Sequence, residues 1–255
     1  MRKFHFIFDK TKKAKTLKKV ILRNYKNNSP KNAEVIIVSG GDGFMLKTIK
    51  KFNKFKKPFY GINCGSIGFL LNKYISKKIE HTIEKAKIIQ INPLQIITRS
   101  KGNQRNIFLA INELSILRQS KQTALLKLNI NKKILIKKLI GDGVMVSTPA
   151  GSTAYNLSVN GPILSLNSKH LAITPISPFR PRRWKGKIIS DRAKISIINL
   201  DPQKRPIAAV ADNNEIRNVI SVSASVNKNI KFKLLFNPGE SLFKKIKSEQ
   251  KRKIN

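Results

Sequence analysis

Apolar residues along the first ninety positions recur with two periods that take turns. Residues 3–8 read as a strand, 12–25 as a helix with Ala14, Leu17 and Ile21 at helical spacing, and 34–38 as a short, β-branched buried strand. A second helical stretch covers 44–52, a third strand 58–62, and Ile75, Ile79, Ile83 and Ala86 fall on one face of a third helix. Strands separated by helices imply right-handed β-α-β crossovers and a parallel sheet.

From about Asn92 the rhythm changes. Residues 94–98, 108–116, 125–130, 134–140, 187–189, 195–198 and 207–210 are short, β-branched runs separated by turn residues, which predicts an all-β region. The runs 125–130 and 134–140 form a predicted hairpin across Asn131-Lys132-Lys133, without the Asn-Gly that favours a tight turn. A last strand is predicted over 230–236 and a basic terminal helix over 242–253. The expected architecture is α/β: a Rossmann-like N-terminal domain made of 1–91 plus 234–255, and a β-rich, sandwich-like C-terminal domain made of 92–233.

Composition narrows the function. The chain has 255 residues, and 52 Lys plus Arg against 13 Asp plus Glu give a formal charge of +39. Such a charge is the usual footprint of nucleic-acid binding. Here the lysines are spread over the whole chain, with no basic face interleaved with aromatics, and frequent Lys, Ile and Asn fit drift of an AT-rich coding sequence. No specific nucleic-acid partner is expected, although the field attracts anionic nucleotides. Cys64 is the single cysteine, and His5, His81 and His170 have no neighbour at metal-ligand spacing, so neither a disulfide framework nor a protein-held metal is expected. The apolar start at 4–8 is too short for a signal peptide and no run approaches a membrane span, which points to the cytoplasm and no membrane partner.

Three segments carry chemistry. Gly40-Gly41-Asp42-Gly43 follows a predicted buried strand and precedes a helix, where backbone amides can approach a phosphate. Asp42 then sits at the carboxyl end of a strand, where open α/β sheets place their ligands. A tight turn with Asp42 as helix cap is the other reading. Neither GxGxxG after the first strand nor GxxxxGK[ST] is present. The second segment is Asn112-Glu113, within an apolar run. Adjacent strand residues face opposite ways, so one of the two meets the core unless a turn or a ligand receives it. An amide can read an adenine edge and a carboxylate can accept ribose hydroxyls, while a turn satisfies the same pair. The third, 141–156, is dominated by small residues from 147 to 154 and ends in Tyr155, which offers a stacking face. It reads either as a ligand-approach segment or as a surface loop.

Together these segments resemble the NAD kinase family: Gly40–Gly43 matches its GGDG motif, Asn112-Glu113-Leu114-Ser115 its NE motif, and 141–156 its long glycine-rich motif, in the family's order. The resemblance covers nearly the whole chain and implies transfer of a phosphoryl group from ATP, or another donor, to the adenosine ribose 2′-hydroxyl of NAD. It implies Asp42 as catalytic acceptor and a phosphate loop of Gly40, Gly41 and Gly43. It further implies an NAD site of Asp42, Gly43, Phe69, Asn112, Glu113, Asp142, Ala150, Thr153, Ala154, Tyr155, Asn156, Leu157 and Ser158. Tyr155 would lie near the adenine and Asp142 near the nicotinamide. Mg²⁺ accompanying the triphosphate, and a homodimer or homotetramer whose site is completed across a subunit interface, are likewise implied. The chain departs from the family at Phe44, where many members have Thr or Ser, and at 177–184, where many have a histidine after the proline. A lipid kinase of the diacylglycerol type shares a GGDG-like loop but not the second and third segments.

Overall fold

In the computed structural model, residues 2–66, 68–74, 78–240, 244–247 and 251 are described. The chain forms two compact units, 1–91 with 231–255, and 92–230. In chain order the first unit holds β1 (Phe4–Phe8), α1 (Lys12–Asn24), β2 (Val35–Gly40), α2 (Asp42–Phe52), β3 (Phe59–Asn63), α3 (Ile79–Glu84) and β4 (Lys87–Ile91). The second holds β5 (Leu94–Ser100), β6 (Arg105–Ala110), β7 (Glu113–Arg118), β8 (Ala124–Ile130), β9 (Lys133–Gly141), β10 (Gly143–Ser147), α4 (Tyr155–Ser158) and β11 (His170–Ile176). It continues with β12 (Lys187–Ser190), β13 (Ile195–Asn199), β14 (Ile207–Ala211), β15 (Asn214–Ile216) and β16 (Val219–Val226), and β17 (Phe232–Phe236) returns to the first unit.

The first unit is a five-stranded sheet in the order β1-β2-β3-β17-β4. All neighbours are parallel except β17 and β4. β2 is buried at every position, which explains its unbroken apolar run. Thr11 opens α1 by accepting from the Ala14 amide, and the helix turns Ala14 and Ile21 inward. The predicted third helix is shorter than expected: α3 ends at Glu84, and Ala86 lies beyond it. The β-branched residues Ile88, Ile89 and Ile91 pair with β17 instead of extending a helix. Ile75, and most of the predicted terminal helix, fall outside the described residues; 244–247 are helical.

The second unit packs two six-stranded sheets, β12-β11-β10-β7-β14-β15 and β6-β5-β16-β13-β8-β9, around one apolar core. Leu114, Ile116, Val144 and Val146 face it from the first sheet and Leu94, Leu126, Leu128 and Ile195 from the second. The hairpin of β8 and β9 turns on Asn131 and Lys132, both at positive φ, so the tight turn forms with lysine where glycine is usual. The run 108–116, expected as one strand, is two: β6 and β7 are separated by Ile111 and Asn112. The pattern does not predict β4, β10, β11, β15 or β16. β11 contains Pro175, which argues against a strand, yet its pairing with β12 stops at Ile173, before the missing N–H is reached. Among the described residues no helix is long and apolar enough to cross a membrane.

Candidate functional site

In the first unit, β2 ends at Gly40 and α2 starts at Asp42, so the GGDG segment is the strand-to-helix junction itself. Gly40 is glycine because a side chain there would meet Phe44 at 2.7 Å. At Gly41 and Gly43 the surroundings are open, with nothing within 4 Å of an added Cβ. The first amides of α2 lack partners within the helix and begin in this open space. Asp42 is not the helix cap, since Gly41 occupies that position. Its carboxylate reaches instead into the loop after β3: Oδ2 accepts from the Phe69 amide at 2.7 Å and Oδ1 from the Leu70 amide at 2.9 Å. Burial pushes its pKa up, while those two amides and the Lys245 ammonium pull it back down. Two oxygens that each accept one amide still have lone pairs for a further donor.

In the second unit, Asn112 sits in the bend between β6 and β7 and Glu113 opens β7. The bend is held by Asp212, from the turn joining β14 to β15. Its carboxylate accepts from the amides of Ile111 at 2.8 Å and Asn112 at 2.9 Å, with a longer contact of 3.4 Å to that of Glu113. Thr148 closes the bend from the other side, its amide on the Asn112 carbonyl at 2.9 Å and its hydroxyl on that of Ile111 at 2.7 Å. Gly151 passes so close that a Cβ would lie 2.3 Å from the Asn112 oxygen. Asn112 Oδ1 and Glu113 Oε2 are both buried with no hydrogen-bond partner among the described residues. Burial, reinforced by the neighbouring Asp212, raises the Glu113 pKa to about 8.

The glycine-rich segment divides by role. Gly143 lies so close to β7 that a Cβ would meet the Ile116 carbonyl at 1.8 Å, which makes it a packing glycine. Asp142, between β9 and β10, pairs with Arg118 Nε at 2.6 Å. Arg118 ends β7 while Glu113 begins it, so one chain holds Asp142 roughly 17 Å along the strand from the Asn112 bend. Ala150 and Thr153 are buried, Ala154 and Leu157 partly so, and Ser158 is exposed. Tyr155 presents its ring at 40% exposure. Asn156 points inward: Nδ2 donates to the carbonyls of Ser152 and Pro162, and Oδ1 accepts from the Thr174 hydroxyl. Asp212 and Arg118 lie outside every segment that the sequence singles out, and no spacing or motif marks them, whereas Thr148 lies within 141–156 with its role unassigned.

Comparison with known proteins decides the family. The ATP-NAD kinase N-terminal domain matches residues 2–89 and the ATP-NAD kinase C-terminal domain residues 111–231. The chain belongs to the NAD kinase family. The NAD kinase of Zymomonas mobilis subsp. mobilis is 42% identical over 244 residues, 95% of each chain. That of Brucella suis is 41% identical over 248 residues, 97% of this chain and 96% of the relative. Two solved structures share the fold at 22% identity. The yeast NADH kinase complexed with NADH has a TM-score of 0.76 over 88% of this chain and 68% of that one. An Archaeoglobus fulgidus NAD kinase in complex with ATP has a TM-score of 0.73 over 97% and 99%. The family thus makes the chain a phosphotransferase, and the residues matched include all three segments singled out above.

Proposed function

We propose that the protein phosphorylates NAD to NADP by moving the terminal phosphoryl group of a nucleoside triphosphate onto the 2′-hydroxyl of the adenosine ribose. Among the features of the chain, the Asp42 carboxylate carries this reading. It stands at the carboxyl end of β2, is held by two backbone amides, keeps lone pairs free, and is a stronger proton acceptor than a solvated aspartate because burial raises its pKa. Phosphoryl transfer passes through a loose transition state, so alignment outweighs early proton removal. Asp42 accepts a hydrogen bond from the 2′-hydroxyl and takes its proton late, as the new O–P bond forms and the bond to the leaving nucleoside diphosphate breaks.

The other roles follow from the unsatisfied groups. Asn112 Oδ1 and Glu113 Oε2 are buried acceptors without partners, which supports their reading as receivers of adenosine N–H and O–H donors. Gly41 and Gly43, with open surroundings, are proposed to face phosphates, and Phe69 to pack along the dinucleotide. The exposed Tyr155 ring suits adenine stacking, with Ala150, Thr153, Ala154, Leu157 and Ser158 shaping that wall. Asn156 serves the site from behind, through its internal bonds. Among the described residues no group of three or more His, Cys, Asp or Glu side chains is arranged to hold a metal. Mg²⁺ is proposed to enter with the nucleoside triphosphate, as part of the substrate.

The distance of Asp142 from the Asn112 bend in one chain supports a homodimer or homotetramer in which a second copy supplies Asp142 toward the nicotinamide. A cytoplasmic location completes the proposal. Incubating the protein with NAD, ATP and Mg²⁺ and reading NADP with an NADP-specific dehydrogenase tests it. NADP formation is expected, and phosphorylated lipid in its absence would favour a lipid kinase instead.

A further inference from the structure

The loop that holds Asp42 is itself held from its far side. Asn72 is fully buried and donates through Nδ2 to the carbonyls of Gly61 in β3, at 3.0 Å, and Leu235 in β17, at 2.9 Å. Its Oδ1 accepts from the Asn237 amide at 2.8 Å, and Asn237 Oδ1 in turn accepts from the Tyr60 hydroxyl at 2.9 Å. This network fixes the end of the loop to the sheet. The middle is tied by one side chain from the last described helical turn. Lys245 Nζ donates to the Phe69 carbonyl at 3.1 Å and also to the Leu71 carbonyl. The same ammonium lies 3.7 Å from Glu240 Oε2 and 5.1 Å from the centre of the Phe236 ring. Three consecutive residues therefore connect the two charges: the amides of Phe69 and Leu70 point at Asp42, and the carbonyls of Phe69 and Leu71 point at Lys245.

We infer that Lys245 is a positioning residue for Asp42: by holding the Phe69 and Leu71 carbonyls it orients the loop so that the Phe69 and Leu70 amides point at the carboxylate. The inference rests on Asp42 being the proton acceptor. A peptide whose carbonyl is bound by a cation is polarised, and its N–H becomes a better donor. Lys245 thus acts on Asp42 both through the backbone and directly through space. The charged groups facing Lys245 are Glu240 and Asp42, and both favour its protonated form, whereas burial opposes it. Burial of Asp42 raises its pKa, and Lys245 is among the groups that lower it. Loss of the ammonium removes that lowering influence, so the carboxylate should take up its proton at higher pH.

Steady-state kinetics of the full-length protein against pH, with ATP, Mg²⁺ and NAD, test this in four variants. Lys245→Met keeps the stem and removes charge and donors, Lys245→Gln keeps donors without charge, Lys245→Arg keeps both, and Asp42→Asn removes the acceptor. For Lys245→Met, kcat should fall on the order of a hundredfold, the size expected when a catalytic group is displaced by about an ångström. KM for NAD should stay within about twofold. The acid limb of the kcat profile should move upward for both Met and Gln and return to the wild-type position in Arg. Should Lys245→Met fail to fold, the comparison of Gln with Arg decides alone. A wild-type kcat and acid limb in Lys245→Gln, or an Arg variant no better than Gln, would overturn the inference. If Asp42→Asn loses turnover while the Lys245 variants keep it, Lys245 is idle and the Asp42 reading stands. Full turnover in Asp42→Asn would remove the Asp42 reading itself.

Discussion

At the scale of single residues, the fold treats two candidate carboxylates, one in each unit, in opposite ways. Asp42 is half-buried and receives two amides; Glu113 is half-buried, has a buried oxygen without a partner and faces the nearby charge of Asp212. Replacing Asp42 by Asn puts an amide N–H₂ against a backbone N–H and leaves one donor unpaired, a loss of about 1–3 kcal/mol that a stable fold survives. NAD binding should persist while turnover drops by orders of magnitude, measured by calorimetry beside the coupled assay. For Glu113 the raised pKa means that the native state holds a proton the unfolded chain releases between about 4.5 and about 8. Its stabilising contribution is thus complete below the unfolded value and is lost as pH rises through about 8. In Glu113→Gln the melting temperature should decline less than wild type over that window. Hydroxyl donors entering with NAD favour the carboxylate form, so binding near pH 7 should release a proton, visible as a dependence of calorimetric heat on buffer ionisation enthalpy. No such dependence would argue against ribose contact.

At the scale of elements, glycine marks close approach more often than ligand contact. Gly151 against Asn112 and Gly143 against Ile116 hold the bend and the β7–β10 pairing in register. Alanine at either site must push a backbone carbonyl aside, and each variant should lose about 1–3 kcal/mol or more, read from urea midpoints. Removing the Asn156 amide strands partners on three segments, and Asn156→Leu should cost about 2–3 kcal/mol by the same measurement. The strand edges bear on assembly: β6, β9 and β12 end the sheets of the second unit and expose Ile107, Ile134 and Ile188. Uncovered apolar edges invite pairing with another chain. Light scattering after size exclusion should give two or four copies, and a monomer would contradict the shared-site proposal.

At the scale of the whole molecule, the charge of +39 acts through long-range fields. Self-repulsion opposes compaction and is screened by salt, while attraction of anionic nucleotides is screened equally. Between about 10 and about 300 mM monovalent salt the melting temperature should rise and KM for NAD should increase. Opposite consequences from one cause distinguish a diffuse field from a local phosphate clamp, which would change KM alone. A gel shift at physiological salt should show no specific nucleic-acid complex, because no basic stripe with exposed aromatics runs along the sequence.

The candidate site residues are readable in the sequence where local rules govern. The strand-to-helix junction at 40–43 follows from a β-branched run, three glycines and a helical period, all within one stretch of chain. Asn112 escaped the strand because a turn received it, one of the two outcomes that alternation allowed. What holds these residues was hidden. Asp42 meets amides 27 and 28 positions away, Asp212 reaches back about a hundred, and Lys245 returns to carbonyls 176 and 174 positions earlier. Periodicity reports which face of an element is buried, and it is silent on strands such as β10, which is buried at every position and shows no alternation. Which strand lies beside which is settled by burying apolar faces jointly, and only that packing decided that Asn156 turns inward, that Asp142 stands apart from Asn112, and that Lys245 donates to the carbonyls of the loop whose amides hold Asp42.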